Sequence, residues 1–190
     1  NHTIELAPSV QQALHRTGLS PADLTAIAVS QGPGSFTGLR IGMGFAKGLS
    51  AAQNLPLIAV PTLDIVAAAI PAATDPLITV LQAGRGRICI QRYRCDQQTW
   101  QPAGPAEITN WSALLEQIEH NTLIAGEIED ASRESLEATA RPIHIAAGAV
   151  SLRRAGFLAE LAWTRFRADD TDDPLSITPI YLHQPGVPHP

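Results

Sequence analysis

The chain reads as a mixed α/β protein in two lobes, and three features predict that class. A strand, a glycine-rich turn and a helix follow one another across residues 25–52. An apolar hairpin brackets Ala83-Gly84-Arg85-Gly86, and a proline-bounded break at 71–76 separates it from what precedes. The lobes are accordingly placed at 1–75 and 76–190.

Ile4, Ala7, Val10 and Leu14 recur at helical spacing across 3–17, with Pro8 as a kink and Gly18 as the stop. Residues 25–30 form a short apolar strand, and Gly32-Pro33-Gly34-Ser35-Phe36-Thr37 leads from it into a helix over about 38–52. A strand at 57–60 and a helix at 62–70 complete the first lobe. In the second, strands at 77–82 and 87–94 flank the hairpin turn, and a helix at 111–119 starts from Thr109 or Asn110 as its N-cap. A strand covers 122–125, and helices near 128–138 and 151–166 alternate with an apolar stretch at 143–146. The run Asp169-Asp170-Thr171-Asp172-Asp173-Pro174 is a solvated turn ahead of apolar residues 177–182.

Apolar residues make up 45% of the 190 and charged residues 16%, which supports a buried core and argues against disorder. The net charge is −5, and no run of Lys or Arg exceeds the pair Arg153-Arg154, so no basic stripe exists to neutralise phosphates and tight binding of nucleic acid by this chain alone is not expected. No apolar stretch approaches 18 residues, and no charged-then-apolar amino terminus is readable; the expectation is a cytoplasmic protein. Cys89 and Cys95 are six residues apart in a strand-like segment, about 20 Å if extended, too far for a disulfide. The chain opens at Asn1 directly into a helical pattern, as if an amino-terminal segment were missing.

The loop at 32–38 is the most informative candidate site. A glycine turn between strand and helix aims backbone N–H groups and the positive helix end at one point, where anions bind. Gly32, Gly34, Ser35, Thr37 and Gly38 are thus candidates for anion or nucleotide contact. Against this, Gly38 is followed by Leu39-Arg40 and not by the Lys-Ser/Thr of a phosphate clamp. Equally, Ser35 or Thr37 caps the helix while the glycines let the turn close.

The following helix carries Gly38, Gly42, Gly44 and Gly48, each costing roughly 1 kcal/mol relative to alanine. On a helical projection its glycines and apolar residues sweep more than half the circumference, leaving Arg40, Met43, Lys47 and Ser50 on the remainder. So wide an arc is covered on more than one side. Its own sheet supplies one cover, and the glycines admit a second helix at close range.

No HxxxH or HExxH pair and no ligand-spaced cysteine pair occurs, so neither a metal site nor a cofactor is expected. Ser35 has Pro33 two residues before it, which departs from the Gly-x-Ser-x-Gly elbow of serine hydrolases. The acids at 127–130 and 169–173 read as solvated helix starts and turns, not as acid–base pairs.

The run Gly32-Pro33-Gly34-Ser35-Phe36-Thr37-Gly38-Leu39-Arg40-Ile41-Gly42 resembles the TsaB (YeaZ) family, whose members carry it between a strand and a helix. His2-Thr3 with the helix that follows, Lys47-Gly48-Leu49 and residues 56–63 match in order and spacing; 83–88 and Pro179-Ile180-Tyr181-Leu182 match more loosely. The resemblance implies the two-lobed actin-like ATPase fold, here without its opening amino-terminal strand. It also implies a non-catalytic subunit that pairs with the catalytic paralogue TsaD and acts with the ATPase TsaE in forming threonylcarbamoyladenosine in the tRNA anticodon loop. TsaD-type proteins carry a histidine metal motif where this chain has Pro61-Thr62-Leu63-Asp64, so glycoprotease activity is not implied. Two further positions depart from the family pattern: Gln82 stands where Asp is common, and His183 where Arg is usual.

The rival expectation is an actin-like enzyme that uses a nucleotide at the 32–38 loop; a stand-alone tRNA binder is disfavoured by the acidic balance. The partner surface is expected on Ile4, Ala7, Val10 and Leu14 of the first helix and on Gly42, Phe45, Gly48 and Leu49 of the glycine-bearing helix. Alone, the same surface is expected to form a two-fold homodimer, with tRNA reached only through the complex.

Overall fold

The structure, a computed structural model, describes residues 2–181, the side chains of residues 2–4 excepted. His183 and the Ile4 side chain therefore lie outside the described residues. The chain divides into two compact units, one of Asn1–Pro61 with Leu158–Ile180 and one built on Thr62–Phe157. These boundaries differ from the proline break at 71–76, because packing outweighs punctuation. The helix that precedes the break belongs to the second core, and the segment after 157 returns to the first strand pair.

In the first unit, α1 (His2–Thr17) contains Pro8 and ends at Gly18. The Gly18 amide donates to the His15 carbonyl (3.2 Å) and the Leu19 amide to the Leu14 carbonyl (2.9 Å). That bond pair is a Schellman stop, in which the residue after the glycine is brought onto the last turn. β1 (Ile27–Gly32) and β2 (Leu57–Pro61) form a parallel two-stranded ladder in the register Ile27 to Leu57. Between them runs α2 (Phe36–Gln53), capped by Ser35, whose hydroxyl accepts from the Gly38 amide, and closed by Asn54 in the left-handed region.

The turn after α6 (Ala155–Arg167) closes the free edge of β2. The Asp172 amide donates to the Leu57 carbonyl (2.8 Å), and the Asp172 carboxylate accepts from the Ala59 amide (2.7 Å). Arg165 donates to the Ala59 carbonyl (2.9 Å), to Asp172 (3.2 Å) and through two nitrogens to Asp170. The predicted acidic turn is thus half structural. Asp170 and Asp173 stay solvated, Asp170 held below the usual carboxylate range chiefly by its Arg165 hydrogen bond, whereas Asp172 works as an edge cap.

In the second unit, α3 (Thr62–Ala68) packs on a mixed sheet of six strands. Its strands are β3 (Leu77–Gln82), β4 (Ile88–Asp96), β5 (Thr99–Pro102), β6 (Glu107–Thr109), β7 (Thr122–Gly126) and β8 (Ile143–Ile145). The order is β5-β4-β3-β7-β8, antiparallel at β3–β4 and parallel across β3–β7–β8, with β6 also on β4. β5 and β6 were not expected from the sequence: they are short, half exposed and hold the outer edge of β4 by register rather than by apolar pattern. One sheet face buries Leu77, Leu81, Cys89 and Tyr93 against Leu63, Val66 and Ile70; the other buries Ile78, Val80, Ile88 and Ile90 with Leu114 and Ile118. Leu114 comes from α4 (Trp111–Glu116), capped by Asn110 through the Ala113 amide (2.9 Å). α5 (Asp130–Glu137) follows β7, and α6 starts four residues later than expected, after a 3-10 turn at Gly148–Val150. Both cysteines are free thiols, and burial pushes Cys89 up to about 12.

Asp172→Ala leaves the amide of Ala59, a residue 2% exposed, without an acceptor. The expected loss is about 1–3 kcal/mol of stability, the usual penalty of one buried unsatisfied group, read from urea unfolding followed by circular dichroism.

Candidate partner interface

The glycine loop is closed from inside by the chain itself. Gly32 lies at φ +109°, and a Cβ there would sit 2.6 Å from the Ile180 carbonyl oxygen and 2.9 Å from Leu39 Cδ1. The Ile180 amide donates to the Gln31 carbonyl (2.8 Å), and the Gln31 side chain donates to the Thr178 carbonyl (3.1 Å). Gly32 is therefore buried under residues 178–180 and Pro33 is buried beside it, while Gly34, Ser35 and Thr37 remain exposed and Gly38 is half-buried. Ser35 spends its hydroxyl on the cap at Gly38 (3.3 Å), and Thr37 lies within the first turn. The geometry accounts for these residues as a turn, a backbone contact and a helix start.

On α2 the buried line is Met43, Ala46 and Ser50, at i, i+3 and i+7. This corrects the sequence reading, which left Met43 and Ser50 on the uncovered remainder. Ser50 goes inward because its hydroxyl has an acceptor, the Leu55 carbonyl at 2.7 Å. The glycine sector consequently faces away from the sheet: Gly44 and Gly48 are exposed, Gly42 is half-buried, and a Cβ at any of the three meets nothing within 4 Å.

Two grooves run between α1 and α2. One, about 450 Å³, is lined by Ala7, Val10, Gln11, Leu14 and His15 of α1, Leu19, Ser20 and Pro21 after it, and Phe45 and Leu49 of α2. The other, about 460 Å³, is lined by Glu5, Leu6, Ser9, Ser35, Gly38, Ile41 and Gly42. Of the expected interface residues, five (Ala7, Val10, Leu14, Phe45 and Leu49) share the first groove, Gly42 lines the second, and Gly48 lies on the open glycine face. Sequence reasoning missed Leu19 and Pro21. The signal for Leu19 was present: the residue after a C-terminal helix glycine packs on the last turn, and Leu14 and Leu19 are the pair this motif joins. Pro21 is positioned by the capping box beside it, where the Asp23 carboxylate accepts from the Ser20 amide (2.8 Å) and hydroxyl (2.7 Å). Those bonds hold Asp23 below the usual carboxylate range.

Two of the polar ties in the second unit involve Gln82 and Asp64. Gln82 donates its amide to a Glu127 carboxylate oxygen (3.0 Å) and its side-chain nitrogen to the Glu127 carbonyl (3.2 Å), while Arg153 pairs with the same carboxylate. Gly126, at φ +123°, permits this junction, because a Cβ there would lie 2.1 Å from the Val80 carbonyl oxygen. Tyr93, 1% exposed, donates to Asp64 (2.6 Å). Burial holds the Asp64 carboxyl above the ordinary carboxylate value despite that hydrogen bond, and burial with the nearby Asp64 raises the Tyr93 phenol. Among the described residues, no three His, Cys, Asp or Glu side chains converge as metal ligands, and no helix is long and apolar enough to cross a membrane.

A family model described as TsaD, tRNA N6-adenosine threonylcarbamoyltransferase, matches residues 1–159. The tRNA threonylcarbamoyladenosine biosynthesis protein TsaB of Bacillus subtilis is 27% identical over 72% of this chain and 61% of its own length. The TsaB protein of Escherichia coli is 48% identical over 35% of this chain and 29% of its own. The chain thus spans less than two thirds of either relative. An uncharacterized protein of Mycobacterium tuberculosis is 30% identical over 98% of this chain and 77% of its own length. Among solved structures, YeaZ from Pseudomonas aeruginosa superposes with a TM-score of 0.74 at 24% identity, covering 95% of this chain and 85% of that one. The shared fold agrees with an actin-like ATPase type.

Two outcomes are expected from this geometry. Gly44→Ala and Gly48→Ala, at helix positions with open space, should each raise the chain's stability by about 0.5–1 kcal/mol, whereas Gly32→Ala should lower it; thermal melting distinguishes them. Because the Asp64 carboxyl is raised, the folded chain keeps a proton that the unfolded chain has lost. Stability from this group is fullest below the unfolded value of about 4 and declines as pH rises through the folded value. Asp64→Asn keeps an acceptor for Tyr93 and should flatten that slope in urea midpoints measured across pH 4–7.

Proposed function

The chain belongs to the TsaD family of tRNA N6-adenosine threonylcarbamoyltransferases as a TsaB/YeaZ-type member, and from that premise we propose that it is a non-catalytic subunit in threonylcarbamoyladenosine formation on tRNA. It docks a TsaD-type catalytic subunit through α1 and α2. The observation that carries this reading is the pair Gly44 and Gly48, one turn apart on the outward side of α2, where an added Cβ meets nothing within 4 Å. Two such glycines cost the helix roughly 2 kcal/mol relative to alanine, and the chain's own packing offers no return for it. A second helix approaching at backbone range does, and the apolar groove beside it, walled by Val10, Leu14, Phe45 and Leu49, takes that partner's side chains.

An accessory role also fits the segment after β2. It reads Pro61-Thr62-Leu63-Asp64, and Asp64 is engaged by Tyr93 in the core. Without the paralogue the same face pairs with a second copy about a two-fold axis, and the TsaE-type ATPase joins the assembled pair. The setting is the cytoplasm, where tRNA is modified, and tRNA is met through the complex.

Gly48→Leu tests the interface. The leucine meets open space in the free chain and is the better helix former, so the melting temperature should not fall, while affinity for the TsaD-type subunit falls several-fold to about a hundredfold, on the order of 1–3 kcal/mol. Calorimetry with the purified paralogue reads the affinity. Undiminished binding by Gly48→Leu and by Gly44→Leu would remove α2 from the interface.

A further inference from the structure

On α6, Ala162 is buried and Trp163 beside it is 54% exposed. The ring is not loose. The guanidinium carbon of Arg167 lies 5.7 Å over its centroid, and the Phe166 ring stands 5.7 Å away at an interplanar angle of 31°. The helix beneath is fixed by Arg165, whose bonds to the Ala59 carbonyl, Asp170 and Asp172 hold it at the edge of β2. Those bonds also divide the charges. Asp170 and Asp172 are taken by Arg165, whereas Arg167 makes no ion pair among the described residues and rests on the ring, although the exposed Asp169 follows two residues on. α6 therefore presents an aromatic face beside a guanidinium that no carboxylate pairs. Ala159, one helical turn before Trp163, is small and exposed and leaves the ring open to a flat ligand.

We propose that Trp163 and Arg167 form a stacking platform for an unpaired base of RNA. The inference rests on the reading that the chain serves in tRNA modification. Unpaired loop bases splay out and stack on aromatic rings and guanidinium planes, and the phosphate next to a stacked base supplies the anion that Arg167 lacks. A duplex keeps its bases inside the helix and offers Arg167 the phosphate alone. One stack and one cation do not make a tight site on a chain of net charge −5. They add to the hold of the catalytic subunit on the same RNA, and they favour a loop over a stem.

Fluorescence anisotropy of a labelled tRNA stem-loop and of a blunt RNA duplex, each titrated with the 190-residue chain at low salt, tests this. The stem-loop should bind more tightly than the duplex. Trp163→Leu should weaken stem-loop binding about tenfold, the effect of one lost base stack, and Trp163→Phe should keep most of it. Arg167→Gln should reduce the slope of log affinity against log salt by about 0.7, the share of one phosphate on a single strand. Both positions are exposed, so the variants should melt with the wild type in circular dichroism. Equal binding of stem-loop and duplex, or a stem-loop affinity indifferent to Trp163→Leu, overturns the platform. So does a Trp163→Leu chain that keeps its RNA affinity and loses the TsaD-type subunit in calorimetry, which makes this face a protein contact. A wild type that holds the stem-loop through Trp163 but not the paralogue supports the platform and overturns the subunit reading.

Discussion

A two-stranded parallel ladder leaves backbone amides and carbonyls on each outer edge that must find partners before they can be buried. In β2 those partners come from far along the chain: Asp172 is 113 residues from the Ala59 amide it accepts, and Arg165 is 106 residues from the carbonyl it donates to. This long-range closure makes one unit of 1–61 and 158–180. It also fixes where the following residues run, since the chain that leaves Asp172 reaches Gln31 at Ile180 and covers Gly32. The shape of the glycine loop is therefore a consequence of the edge closure, and the chemistry available at the loop is set by residues that sequence places nowhere near it.

With the ladder in place, α2 has a defined inner side. Met43, Ala46 and Ser50 turn toward β1 and β2, and Gly44 and Gly48 are carried to the opposite side. At those two positions the helix gives up propensity for bare backbone, which admits another helix at close range. α1 adds the apolar walls. Its Schellman stop brings Leu19 under Leu14, widening the hydrocarbon surface by one residue beyond the helix end.

The second unit solves a different problem. Its sheet is covered on both faces by apolar side chains, with Asp64 tied to Tyr93 in the core and Gln82 with Arg153 tied to Glu127 at its margin. Gln82 departs from the acid common in the family, yet here it supplies what a carboxylate could not, an N–H donor for the Glu127 carbonyl. The substitution replaces a charge with a structural tie between adjacent strand ends.

What the sequence determined by itself was local and periodic. The helical spacing of Ala7, Val10 and Leu14, the strand at 57–60, the hairpin at 83–86 and the caps at Ser35 and Asn110 all appear where residue pattern and turn chemistry put them. That Ala7, Val10 and Leu14 of α1 and Phe45 and Leu49 of α2 come to line one groove follows from the same pattern, since apolar spacing on one helix needs no tertiary information. The tertiary structure alone decided which side of α2 faces inward, where the units divide, and that β5 and β6 are strands at all. Each depends on a partner distant in sequence: a carbonyl waiting for the Ser50 hydroxyl, a strand edge waiting for Asp172, an exposed edge of β4 waiting for short segments without apolar alternation. Periodicity measures how apolar a face is, but the direction it faces is set by which polar groups can be satisfied once other elements arrive.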